Sequence, residues 1–405
     1  MKRYVFSIFT RLFVSVSGFL VFLVSASLFG ASGRGIISYG TSLFAFFGLI
    51  FCFNLGRSFL AETSQNEVLK KELLSDYISL NLVTIILSCA VSFVFWSLSK
   101  SAREILDIKI MISLILSSFF YVWSINSSSI FAVFQETHTQ EKFFIFTRTI
   151  LCIVLAIFYW FKIYKISYFI GLYSIVLGGG SFLELYYLCK TLDIKIKLLS
   201  FERIKKIIQV SFWPHLDYLA FNLFPLILIL ISGNFLSKQE IGKISFALQF
   251  INVVFLLSTV ANIRISSYVS VVGFKAKKEK IKKLFILTLL FSYIASGIMY
   301  CSLRFITERQ HFATFEGTPQ LFLLTIFAIP GFVLYQFINP IWLEIGYIKK
   351  SAVCNLVVLF VVSLISYAVL SNKNYPYGVL LFSVFYLLIL LSQFYLLKKS
   401  QVFLK

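Results

Sequence analysis

Apolar residues along this chain come in stretches that are separated by short polar breaks. At 1.5 Å of rise per residue, about twenty such residues in a helix cross the hydrocarbon of a bilayer. Stretches of that kind cover 7–29, 36–60, 77–98, 110–134, 143–161, 167–189, 207–232, 241–263, 284–306, 320–345, 351–371 and 377–397, which predicts twelve transmembrane helices. An even number puts both termini on one side. The first stretch has the look of a signal peptide, with Lys2 and Arg3 ahead of an apolar run and small residues at Ser25 and Ser27. Its run is too long for a signal sequence and Arg11 interrupts it, so it reads as the first span.

Composition sharpens the picture. Of 405 residues, 59% are apolar, 18% aromatic and 13% charged, where soluble domains carry about 25% charged residues. No compact soluble fold buries that much apolar surface, so lipid is the solvent for most of the chain. The same inventory removes several chemistries. His138, His215 and His311 lie in different segments, and the six cysteines stand singly, so neither a metal cluster nor a disulfide framework is indicated. The longest loops, 190–206 and 307–319, are too short for a catalytic domain, and no phosphate-binding loop for ATP is present. Gly30, Gly33 and Gly35 form a turn between spans, not a dinucleotide fingerprint after a strand. The chain therefore reads as a non-enzyme without cofactor or metal.

The net charge of +20 would suggest nucleic acid in a soluble domain, but here it reports topology. With the termini inside, the inner segments hold 22 Lys and Arg and the outer loops 11. Both termini are expected in the cytoplasm. Four arginines remain within or near the spans: Arg11, Arg57, Arg148 and Arg264.

Twelve spans suggest six plus six. An offset of 207 sets Gly35 on Gly242, Ser38 on Ser245, Arg57 on Arg264 and Lys70-Lys71 on Lys277-Lys278, and an offset of 208 sets Glu136 on Glu344. Charges are scarce here, so paired charges at one offset carry weight. The expected architecture is all-α and polytopic, with bundles over 1–199 and 200–405 that are pseudo-symmetric about an axis along the membrane normal.

The turn Ala31-Ser-Gly-Arg-Gly-Ile-Ile-Ser-Tyr39, Asn54-Leu-Gly-Arg57, Leu236-Ser-Lys-Gln-Glu-Ile-Gly-Lys243, and the helix-end pair Gln135-Glu-Thr-His138 and Glu344-Ile-Gly-Tyr347 resemble motifs of one family. It is the Wzx-type oligosaccharide flippases of the polysaccharide-export, MATE-like superfamily. The resemblance spans almost the whole chain through loose motifs. It implies two six-helix bundles around a central cavity. It also implies transport of undecaprenyl-pyrophosphate-linked oligosaccharide, such as O antigen for lipopolysaccharide, across a bacterial inner membrane. Polymerase and chain-length proteins of the same pathway would be its partners.

The embedded polar residues are the candidate machinery. An arginine at a helix centre costs about 2.5–3.5 kcal/mol, yet its planar fork suits a pyrophosphate. Arg11, Arg57 and Arg264 lie one or two turns from the inner ends of spans 1, 2 and 8, the spans whose arginines hold the substrate in the resembled family. Each can instead extend to the headgroups, as can Arg148 beside Lys142. Asp217 lies about ten residues into span 7, roughly 15 Å deep, so it is a candidate proton or cation site, with H+ or Na+ as coupling ion, or else a structural partner to arginine. His215, two residues away, points to another face. Pro214 and Pro225 bracket the pair and would bend the helix. Gly178-Gly179-Gly180 offers either a hinge or a close packing face. Two other functions fit the class. An embedded polymerase or ligase would need a sizeable outer loop, for which only Arg309, His311 and Glu316 are candidates. A drug/cation antiporter would need an acidic cavity, whereas embedded arginines outnumber embedded acids.

Overall fold

The computed structural model describes residues 2–65, 70–134, 136–272 and 278–400. Among the described residues the chain is almost entirely helical. The helices of the first part are α1 (Lys2–Phe51), α2 (Leu55–Gln65), α3 (Lys70–Leu98), α4 (Lys100–Ile105), α5 (Ile108–Val133), α6 (Thr137–Trp160) and α7 (Ile166–Leu192). Those of the second part are α8 (Phe201–Asn222), α9 (Phe224–Phe235), α10 (Lys238–Val272), α11 (Lys278–Thr307), α12 (Thr318–Thr325), α13 (Ile329–Glu344), α14 (Ile348–Ser371) and α15 (Tyr375–Ser400).

Among the described residues, ten helices are long and apolar enough to cross a membrane, and the pair α8 and α9, bent by 52°, makes an eleventh crossing. The first of the ten, Phe13–Leu60, holds 48 residues, about 72 Å of helix and enough for two crossings of a core about 30 Å thick. Twelve crossings result. α1 is two helices meeting at Gly30, where φ is 63° and ψ −173°. Only glycine adopts that backbone without strain, and the Ala31 N–H beyond it donates to Thr314 Oγ1 at 3.1 Å.

Proline explains some of the breaks and not others. Pro225 sits in the first turn of α9, and the bend falls just before it. Its ring excludes a continuous helix because it collides with the carbonyl four residues back. Pro214 lies inside α8 without ending it. α7 runs unbroken through Gly178, Gly179 and Gly180. A side chain at Gly178 would stand 2.2 Å from the Leu116 carbonyl oxygen and one at Gly180 2.4 Å from Thr147 Oγ1, while Gly179 faces open space. The triplet's outer members thus let α5 and α6 approach α7 closely.

The chain divides into two compact units. The first comprises Met1–Phe29 and Ile36–His215, the second Gly30–Gly35 and Leu216–Lys405. In the first, Leu74, Tyr77, Trp123 and Phe131 anchor an apolar core. In the second, the rings of Phe221 and Tyr335 stack at 3.7 Å, as do those of Phe255 and Phe332.

The second unit holds the clearest trace of the repeat. A Cβ on Gly35 would lie 1.8 Å from the carbonyl oxygen of Lys238, and one on Gly242 would lie 1.9 Å from that of Ala31. Residues 31 and 238, like 35 and 242, differ by the repeat offset of 207, so the crossing of α1 and α10 is reciprocal. Each glycine clears the way for the other repeat's backbone.

That reciprocity makes a test of packing. Gly35→Ala and Gly242→Ala should each destabilise the protein by about 1–3 kcal/mol, the range of overpacking. Gly297→Ala, at a helical position with nothing within 4 Å, should be neutral or slightly stabilising. Thermal unfolding of the detergent-solubilised protein reads the difference. Equal midpoints for all three variants would refute the close crossing.

Candidate functional site

Asp217 is the centre of the second unit's polar chemistry. Its carboxylate is fully buried. Oδ2 accepts from the Tyr335 hydroxyl and from Asn339 Nδ2, both at 2.6 Å, and Oδ1 accepts from Asn355 Nδ2 at 2.9 Å. A second layer orients the first. Asn355 Oδ1 accepts from Gln393 Nε2 at 3.0 Å, Gln393 Oε1 accepts from the Trp342 ring N–H at 2.6 Å, and Gln393 Nε2 also reaches Ser351 Oγ at 3.2 Å. All seven residues are buried. They come from α8, α13, α14 and α15, so four helices meet on one acid.

The chemistry of this cluster is distinctive. Every donor to Asp217 is neutral, and among the described residues no lysine or arginine pairs with it. An arginine partner, one of the two sequence readings, is therefore not what holds it. The amides of Asn339 and Asn355 present oxygen or nitrogen by a half-turn of the side chain, since the two ends are almost the same size. The same shell can thus donate to a bare carboxylate or offer oxygens to a cation beside it. The break between α8 and α9 falls at Leu223, six residues beyond Asp217.

The first unit has a different device. The helix breaks between α1 and α2 at Cys52-Phe53-Asn54, where Phe53 and Asn54 take φ of 46° and 49°. A break in an apolar setting strands backbone groups, and side chains satisfy them. Asn126 Nδ2 donates to the Cys52 carbonyl at 3.1 Å, and its Oδ1 accepts from the Gly56 N–H at 3.1 Å. His215 Nε2 lies 3.1 Å from the Ile50 carbonyl and its Nδ1 4.0 Å from Cys52 Sγ. Ser58 and Ser211 share a 2.6 Å hydrogen bond. Arg57 emerges in the first turn after this break and is half-buried.

These placements sort the sequence candidates. His215 and Asp217 are not brought together: His215 caps a helix break in the first unit, and Asp217 anchors the knot of the second. Arg148, on α6, is half-buried, with its guanidinium 6.0 Å from the Phe120 ring, and it lines a cavity of about 200 Å³ with Glu184, Ser124 and Thr147. Arg11 and Arg264 have helical backbones in α1 and α10, but their side chains lie outside the described residues, as do Gln135 and Lys277.

Sequence reasoning missed two clusters. Glu184, buried, accepts from the Trp123 ring N–H at 3.1 Å. At the lysine-rich edge of the first unit, Arg203 donates to both oxygens of Glu62 at 3.0 and 3.2 Å and to Asp76 at 2.7 Å, and Lys197 meets Asp76 at 2.7 Å. Each acid was visible as a rare charge beside an apolar run. Trp123 lies 61 residues from Glu184, and the partners of Glu62 and Asp76 lie more than a hundred residues away.

Comparison with known proteins is informative only through structure. No protein-family model matches the chain, and no curated protein matches it in sequence. Among solved structures, it is similar to a lipid II flippase MurJ in an inward closed conformation, with 16% identity and a TM-score of 0.73 over 98% of this chain and 87% of that one. It is also similar to an inward-facing multidrug resistance MATE family transporter of the MOP superfamily, with 15% identity and a TM-score of 0.61 over 97% and 94%. A MOP superfamily transporter from Pyrococcus furiosus aligns at 14% identity and 0.50 over 97% and 91%. The chain thus has the fold of these membrane proteins.

The knot makes its own prediction. Tyr335→Phe keeps the ring stack on Phe221 and deletes one donor to Asp217. It should cost about 1.5–3 kcal/mol, the value of a hydrogen bond to a charged group, and about half that in an Asp217→Asn background. Unfolding of the single and double variants in detergent measures both. Equal costs in the two backgrounds would show that Asp217 carries no charge in the folded protein.

Proposed function

We propose that this protein is a flippase that carries undecaprenyl-pyrophosphate-linked oligosaccharide repeat units, of O antigen or a similar polysaccharide, across the bacterial inner membrane. Both termini lie in the cytoplasm, and binding of H+ or Na+ at Asp217 drives the cycle. The observation that carries the reading is Arg57, half-buried in the first turn after the broken helix. A half-buried guanidinium favours an anion, and a pyrophosphate offers the paired oxygens that its fork fits. The fold shared with a lipid II flippase supports a lipid-linked cargo. The matched position of Arg264 in the second repeat supports a second contact to the same anion, with Arg11 and Arg148 as further cationic contributors.

The cation step rests on the knot around Asp217. A carboxylate buried among neutral donors carries an uncompensated charge, which an arriving proton or sodium ion removes. Removing it frees the amides of Asn339 and Asn355 to rearrange around Asp217, on a helix that bends six residues further along. A drug/cation antiporter would share the Asp217 site but has no use for Arg57.

Complementation of a deletion strain tests the reading, with protein levels checked by blot. The deletion should leave lipid-linked repeat units facing the cytoplasm and abolish surface polysaccharide. Arg57→Ala should lower surface polysaccharide roughly tenfold or more, the equivalent of one lost charge-assisted bond. Arg57→Lys, which keeps the charge and loses the fork, should fall between Arg57→Ala and wild type. Asp217→Asn should abolish the response to proton or sodium gradients. Full surface polysaccharide from a well-expressed Arg57→Ala/Arg264→Ala variant refutes the substrate site, and unpolymerised units on the outer face point to a polymerase.

A further inference from the structure

The second unit carries a groove of about 480 Å³ that the transport reading leaves unused. Its floor is one side of α13, where Leu334, Phe337, Ile338 and Ile341 succeed one another over two turns and are buried. α11 supplies one wall with Ile281 and Phe285, and α15 the other with Phe394 and Leu397. At one end stand two lysines, Lys282 and Lys398, both exposed. α11 begins at Lys278 and α15 ends at Ser400, so the two lysines belong to the lysine-rich ends of these helices, the start of α11 and the end of α15.

Shape and charge together select the occupant. The volume lies in the range of small-molecule sites, but the only polar groups lining it are the two ammonium groups, and neither forms an ion pair with an acid among the described residues. A partner helix seats best against small residues that let backbones touch. This groove has none, being lined by Ile, Leu and Phe, with Phe394 52% exposed at its open side. A flexible hydrocarbon chain fills such a slot, and an anion attached to it would lie between the lysines. Basic pockets between transmembrane helices take anionic lipid headgroups on the same logic.

We propose that this groove is a binding site for an anionic phospholipid, with one acyl chain along α13 and the phosphate between Lys282 and Lys398. The site lies wholly within the second unit and does not depend on which molecule the protein transports. It makes the protein sensitive to the lipid composition of the leaflet at its lysine-rich end.

Native mass spectrometry of the full-length protein in detergent tests this, with phosphatidylglycerol and phosphatidylcholine of identical chains offered in equal amounts. Wild type should retain phosphatidylglycerol preferentially. Lys282→Gln/Lys398→Gln should lose roughly fivefold of that preference per lysine, near 25-fold in all, as expected for cationic side chains at an anionic surface. Lys283→Gln/Lys399→Gln removes two exposed lysines next in sequence that do not line the groove, and it should keep the wild-type preference. The proposal is overturned if both double variants lose the preference equally, or if wild type shows none. It is overturned too if glycerol phosphate without chains competes as well as the intact lipid, since the groove would then contribute nothing.

Discussion

Hydrocarbon offers no hydrogen bonds, and several departures from regular helix in this protein are repaired by a side chain from another span. The repairs are specific. Asn126 holds the carbonyl and amide on either side of the break at Cys52-Phe53-Asn54, and His215 takes the carbonyl of Ile50. Pro340 cannot donate to the carbonyl of Gln336, four residues back in α13, and Asn262 of α10 donates there instead. Ser383 does the same for Leu324, where α12 passes into a short turn of tighter helix. The buried amides and hydroxyls of this chain are thus spent largely on its own backbone.

Asp217 stands apart from that pattern. Around it the side-chain donors converge on another side chain, and that side chain is an acid. The first unit's buried acid, Glu184, has one ring N–H for company and borders a cavity, while Asp217 has three donors and a second layer behind them. A fully enclosed acid with so many neutral donors is over-determined for a structural role that an apolar residue fills more cheaply. That surplus of organisation is the physical ground on which a functional part for Asp217 is proposed.

The sequence made the spans legible because length and polarity alone decide whether a segment crosses lipid. All twelve apolar stretches correspond to crossings, although Gly30 joins the first two into one long element and Pro225 splits the seventh. Asp217 was legible as a lone acid inside an apolar run. Its shell was not, because Asn339, Asn355 and Gln393 lie more than a hundred residues away, and nothing local in their segments says which acid they face. His215 was legible as a second polar residue beside Asp217 and, by its spacing, on another face. Helical geometry sends two residues so spaced to different faces, and each found its own partners. The glycine triplet shows the same limit, since a hinge and a packing face share one composition and only the neighbouring helices tell them apart.

The reciprocal crossing at Gly35 and Gly242 limits how this chain can change. Residue 31 meets residue 242 while residue 35 meets residue 238, so each glycine faces the backbone of the other segment. A methyl group on either would strike that backbone, and no change at one position relieves the clash at the other. The two glycines are thus held to their size one by one, whatever the rest of the two helices becomes.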